Sequence, residues 1–154
     1  LDRKIKAKIE YEISKLTKDL DKLKPLINKC RTTQPDFIEL AALGTVLHSF
    51  YTGIESIFIM IEKHYKNQFR NEPNWHKNLL WQASIQQRNR KEIISVSTRE
   101  VLYEYLQFRH LFRHSYGFEL DWQKIRHLVL SLEKNLKTIG KDLDAFIKKG
   151  ETHE

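Results

Sequence analysis

An all-α, up-and-down bundle of four long helices plus a short extra one is the architecture this sequence predicts. Apolar residues recur at spacings of three and four over long stretches, no alternating strand pattern appears, and only Gly 5 and Pro 3 are present to break helices in 154 residues. Hydrophobic residues at 40% and charged residues at 31% match a folded helical protein rather than a disordered chain. Residues 1–154 are expected to form a single domain around one core.

The first helix is expected from about residue 3 to 31, because Ile5, Ile9, Ile13, Leu16, Leu20, Leu23 and Ile27 make one apolar seam. Lysines and aspartates cover its other side as a solvated face, and Pro25 should kink or split it. Thr32 to Pro35 is a break. Asp36 with Glu39 has the spacing of a capping box for a second helix to about residue 66. Its small residues Ala42, Thr45, Ser49, Thr52, Gly53 and Ser56 follow helical spacing, a face that suits either packing within the chain or a subunit interface. Glu55 interrupts an otherwise apolar run. There it is either paired with cations of a later helix, since a buried lone carboxylate is costly, or exposed on a helix edge.

Residues 66–76 read as a loop, and Leu79, Leu80 and Ala83 mark the short third helix, ending near Gln86. Trp75 and Trp81 suit the core edge, or stacking on bases. Gln87 to Ser97, with Arg88, Arg90 and Lys91, is expected to be a basic loop, solvated or flanking an active groove. Ser97 with Glu100 spaces a second capping box, so the fourth helix should start near Thr98. Val101, Tyr105, Phe108 and Phe112 form its core face, broadened by Leu102, Leu106 and Leu111, and Gly117 stops it. Asp121 caps the last helix, Leu120 and Ile125 staple its start, and a seam from Leu128 to Phe146 carries it to about residue 148.

The longest uninterrupted apolar run, Ile57 to Ile61, falls far short of the roughly 20 residues of a membrane span. Charges at Asp2, Arg3 and Lys4 occupy the place of a signal peptide's apolar segment, so a cytoplasmic protein is expected. The single cysteine, Cys30, leaves no internal disulfide to form and fits a reducing compartment. A formal charge of +7 with a pI near 9.4 favours an anionic partner such as RNA, and is equally that of an ordinary basic surface.

The end of the fourth helix holds more polar chemistry than a helix terminus needs. It runs Phe108-Arg109-His110-Leu111-Phe112-Arg113-His114-Ser115-Tyr116-Gly117-Phe118-Glu119-Leu120, and Arg109, His114 and Tyr116 spell Arg-x4-His-x-Tyr. This run resembles the HEPN superfamily of small all-helical ribonucleases, and in particular its HepT-type toxins. The close likeness covers about residues 105–121. The resemblance implies a HEPN-like bundle and a metal-independent endoribonuclease, the toxin of a type II toxin-antitoxin pair, leaving 2′,3′-cyclic phosphate ends.

On the same resemblance, Arg109 clamps phosphate and His114 transfers protons, roles that guanidinium and imidazole chemistry suit. His110 orients the phosphate or a partner motif and Arg113 draws RNA in; Glu55, on the pairing argument above, supports the site. Tyr116 is where a minimal nucleotidyltransferase antitoxin attaches AMP to silence such enzymes. No cofactor is implied. On an ideal helix Arg109 and His114 stand roughly 140° apart, so either the helix loosens towards Gly117 or a second subunit completes the site. The resemblance implies a homodimer.

Three other readings stand beside this one. His110 and His114, four apart, could start a zinc site, although two neighbouring arginines oppose a cation and no Glu follows His110. The same cations could simply cap helix carbonyls. The chain could also be a non-catalytic module that binds RNA or a protein partner.

Overall fold

Helix α2 (Phe37–His64) is the axis on which four of the other five described helices pack. In the computed structural model, which describes residues 1–114 and 120–151, it is accompanied by α1 (Arg3–Lys29), α3 (Trp75–Ala83), α4 (Val96–His114), α5 (Trp122–Leu130) and α6 (Leu132–Glu151). Among the described residues α2 is the one helix long and apolar enough, by length and composition, to cross a membrane. Its Leu43, Leu47, Phe50, Ile54, Ile57, Phe58 and Ile61 are instead buried in the core.

The ends of α2 follow from local chemistry. The Asp36 carboxylate accepts from Glu39 N at 2.8 Å and Glu39 returns the bond to Asp36 N at 3.1 Å, the predicted capping box. At the other end Lys66 takes the left-handed conformation, φ 59°, and lets Asn67 N reach back to Glu62 O at 2.9 Å. Glycine allows two close approaches. A Cβ at Gly53 would lie 2.9 Å from Leu16 of α1, and one at Gly44 would lie 2.6 Å from Leu120 and 3.2 Å from Phe112. The small-residue face is thereby divided: Gly53 packs within the chain, while Ala42, Thr45, Ser49 and Thr52 stay exposed.

Four local expectations need correction. α1 runs unsplit through Pro25, which sits in its last two turns and so forgoes only one backbone bond. α3 begins at Trp75, earlier than its leucines suggest. The cap of α4 is Ser95, whose Oγ accepts from Thr98 N at 3.1 Å, so Ser97 and Glu100 form no capping box and the helix starts at Val96. The last helix is two, broken at Ser131. There the Tyr105 hydroxyl donates to Leu128 O at 2.7 Å and Asn135 donates to that hydroxyl at 2.9 Å, while Ser131 Oγ bonds back to His127 O. The Asp121 cap is as expected, accepting from Gln123 N at 3.0 Å.

The basic loop is corrected as well. Arg90 is buried, ion-paired to Glu62 of α2 and donating to the carbonyls of Gln82, Ile85 and Lys91. Arg88 and Lys91 are exposed, and the loop lines a cleft of about 460 Å³ with His64 and Lys149 that no described motif residue borders. Arg90 is thus a strut holding the loop to α2. Replacing Arg90 by Ala strands the Glu62 carboxylate in the core and should cost about 3–5 kcal/mol, measured as a lower urea midpoint. Arg88→Ala, at the surface, should leave the unfolding free energy within about 0.5 kcal/mol of that of the unchanged protein.

Candidate functional site

The core face of α4 carries Leu102, Tyr105, Leu106 and Phe108, and the same three-and-four spacing brings Arg109 inside with them. Val101 and Leu111, expected on that face, are exposed instead. Arg109 is only 4% exposed and Glu55, on the facing α2, only 6%. The two meet end-on: Arg109 Nη1 donates to Glu55 Oε1 at 3.1 Å and Nη2 to Oε2 at 3.0 Å. The guanidinium also lies 4.8 Å from the centre of the Tyr51 ring, one turn before Glu55. Of the two readings of Glu55, the buried and paired one holds.

His76, in the first turn of α3, completes the cluster. Its Nδ1 stands 2.9 and 3.1 Å from the two Glu55 oxygens and 2.9 Å from Arg109 Nη2. One nitrogen cannot both donate to the carboxylate and accept from the guanidinium. The carboxylate is the stronger acceptor and Arg109 Nη2 already has it as partner, so Nδ1–H donates to Glu55 and its approach to Arg109 is proximity only. The imidazole stacks on Trp75 with ring centres 3.7 Å apart, which holds its plane. Both Trp75 and Trp81 are half-buried, Trp81 edge-on to Tyr103 at 5.0 Å.

Charge and burial leave marks on the surroundings. Burial pushes the Tyr51 hydroxyl far above the usual tyrosine range, with Glu55 adding to the effect and Arg109 opposing it. His48, whose ring lies 5.4 Å from that of Phe112, is held below the usual histidine value by burial and then by Arg109 and Arg113. Its Nδ1 is buried without a partner among the described residues.

The other motif residues lie elsewhere. His110, Arg113 and His114 are exposed, with the two imidazoles 4.5 Å apart, and among the described residues no third ligand joins them into a metal-binding group. α4 stays α-helical through His114, so it does not loosen to bring His114 round to Arg109. The end-on fork with Glu55 engages both terminal nitrogens of Arg109, the residue expected to clamp phosphate. Tyr116 and Gly117 lie outside the described residues.

Residues 42–150, well over half of the chain, match the model of a family described as HepT-like protein. The chain belongs to this HepT-like family. No curated protein and no solved structure gives a significant match. Within the HepT-like chain, the residue that sequence reasoning missed is His76. No periodicity links it to Glu55, 21 positions earlier, and its only signal was a ring-bearing polar residue one turn ahead of Leu79 and Leu80.

The His48 shift sets a pH dependence. A histidine whose folded value is depressed prefers to be neutral in the folded protein, so its share of stability is complete above the unfolded value of about 6.5. That share is lost as pH falls from there through the folded value. Unfolding midpoints should therefore drop below pH 6.5, and drop less in His48→Phe, which has no proton to take up.

Proposed function

We propose that this HepT-like chain is the toxin of a type II toxin-antitoxin pair and a metal-independent endoribonuclease, acting in the cytoplasm as a homodimer. The observation that carries this reading is the cluster of Arg109, Glu55 and His76, built around the arginine of the Arg-x4-His-x-Tyr motif. A surface cation needs no such housing. Glu55 takes the terminal edge of the guanidinium and leaves its Nε edge for a phosphate oxygen, while Arg113 and the net charge of +7 attract the RNA backbone.

His114 carries the proton transfer from the ribose 2′-hydroxyl, and His110 beside it orients the phosphate or the partner motif. Because Arg109 and His114 leave α4 on different faces, each site joins Arg109 of one subunit to His114 of the other. The exposed Ala42, Thr45, Ser49 and Thr52 of α2 supply a smooth surface for that pairing. Tyr116 is the switch: a nucleotidyltransferase antitoxin attaches AMP there, and the added phosphate excludes substrate from the arginines.

A second reading has its own support in the same pair. Arg109 and Glu55 satisfy one another in the core, as a purely structural ion pair does, and such a chain would be a non-catalytic module binding RNA or a protein.

Cleavage assays separate the two. Wild-type protein should cut RNA in EDTA, and His114→Ala should be slower by about 10²–10⁴. Arg109→Lys should be similarly impaired, since lysine cannot reproduce the fork. Mixing and refolding the two impaired variants should restore up to about a quarter of the wild-type rate, because half the dimers are mixed and each holds one intact site. No cleavage by the wild-type protein supports the non-catalytic module, and no recovery on mixing rejects the shared site.

The switch has a separate readout. Incubation with a nucleotidyltransferase antitoxin and ATP should raise the intact mass by whole AMP units. A Tyr116→Phe variant that gains the same mass and is still silenced places the switch elsewhere.

A further inference from the structure

We infer that His76 is the general acid of the cleavage site, an assignment that rests on the ribonuclease reading above and adds a residue outside the motif. The site at Arg109 has no motif histidine of its own chain, because His114 leaves α4 on another face. His76 stands there instead, 2.9 Å from Arg109 Nη2, so a phosphate drawn to Arg109 arrives beside its imidazole.

The ring is set for one task. Its Nδ1–H is spent on Glu55 at 2.9 Å, and its plane is held by Trp75 at 3.7 Å. Nε2 has no hydrogen-bond partner among the described residues and is not sealed from solvent, in a side chain 32% exposed. A histidine with one nitrogen on a buried carboxylate and the other open is oriented to exchange a proton through the open nitrogen. The charged groups around it are Glu55 from α2 and Arg109 from α4, with Arg70 lying 4.9 Å from the centre of the Trp75 ring on which it stacks.

The step balances as follows. His114 of the partner chain takes the proton of the 2′-hydroxyl, and the 2′-oxygen bonds to phosphorus. The bond from phosphorus to the 5′-oxygen breaks, and that oxygen takes the proton from His76 Nε2. The products are a 2′,3′-cyclic phosphate and a 5′-hydroxyl, and water returns the two histidines to their starting states.

A general acid is tested by removing the need for it. An oligoribonucleotide with sulfur in place of the 5′-bridging oxygen at the mapped cleavage position departs as a thiolate without protonation. His76→Ala and His76→Asn, the latter keeping a donor for Glu55, should cut normal RNA about 10²–10⁴ times more slowly than wild type. Both should cut the sulfur-bridged substrate within about tenfold of the wild-type rate, which also shows that they are folded. His114→Ala should be slow on both. Equal losses on the two substrates in both His76 variants, or no loss on either, overturn the assignment while leaving the ribonuclease reading intact. A wild-type protein inert on both substrates overturns that reading and the assignment with it.

Discussion

The ion pair of Arg109 and Glu55 is the constraint around which the rest is arranged. Two charges withdrawn from water cost several kcal/mol each, about as much as a protein's net stability can bear, unless each satisfies the other. The end-on fork provides that satisfaction, and it demands that α2 and α4 meet in one register. Gly44 contributes by letting Phe112 and Leu120 close against α2 near the far end of α4. Tyr51 offers its ring to the guanidinium, and His76 brings the first turn of α3 to the same carboxylate.

A second buried pair, Arg90 with Glu62, does for the loop after α3 what the first does for α4. Both carboxylates sit on α2, seven residues apart and therefore on nearly the same face two turns along. α2 thus presents two buried anions to the chain that follows it, and each is met by an arginine. The apolar content that gives α2 the composition of a membrane span is the remainder of that central face.

Helices were legible in the sequence wherever an apolar seam ran long, as in α1 and α2, and the caps at Asp36 and Asp121 were legible because capping is local chemistry. The break at Ser131 was not, since its cause is a hydroxyl on another helix, 23 residues before the Leu128 carbonyl that accepts from it. Arg90 and Arg109 show the same limit from the side of charge. Arginine reads as surface in any one-dimensional pattern, and burial becomes affordable only when a carboxylate from another element is in place. The motif around Arg109 was visible as a run of residue types, and the suspicion that Glu55 needed a partner was visible as a charge inside an apolar run. His76 had neither kind of mark, so the third member of the cluster emerges only in three dimensions.

Tyr105 also acts as a rotational pin. Its hydroxyl is held between the Leu128 carbonyl and the Asn135 amide, one turn before Arg109, and a slip of α4 by a single residue would swing it through roughly 100° and break both bonds together with the fork at Glu55. α4 is therefore keyed at two successive turns and cannot twist to change which way its histidines face. Any motion that re-aims His110 and His114 must carry α2, α5 and α6 along with α4.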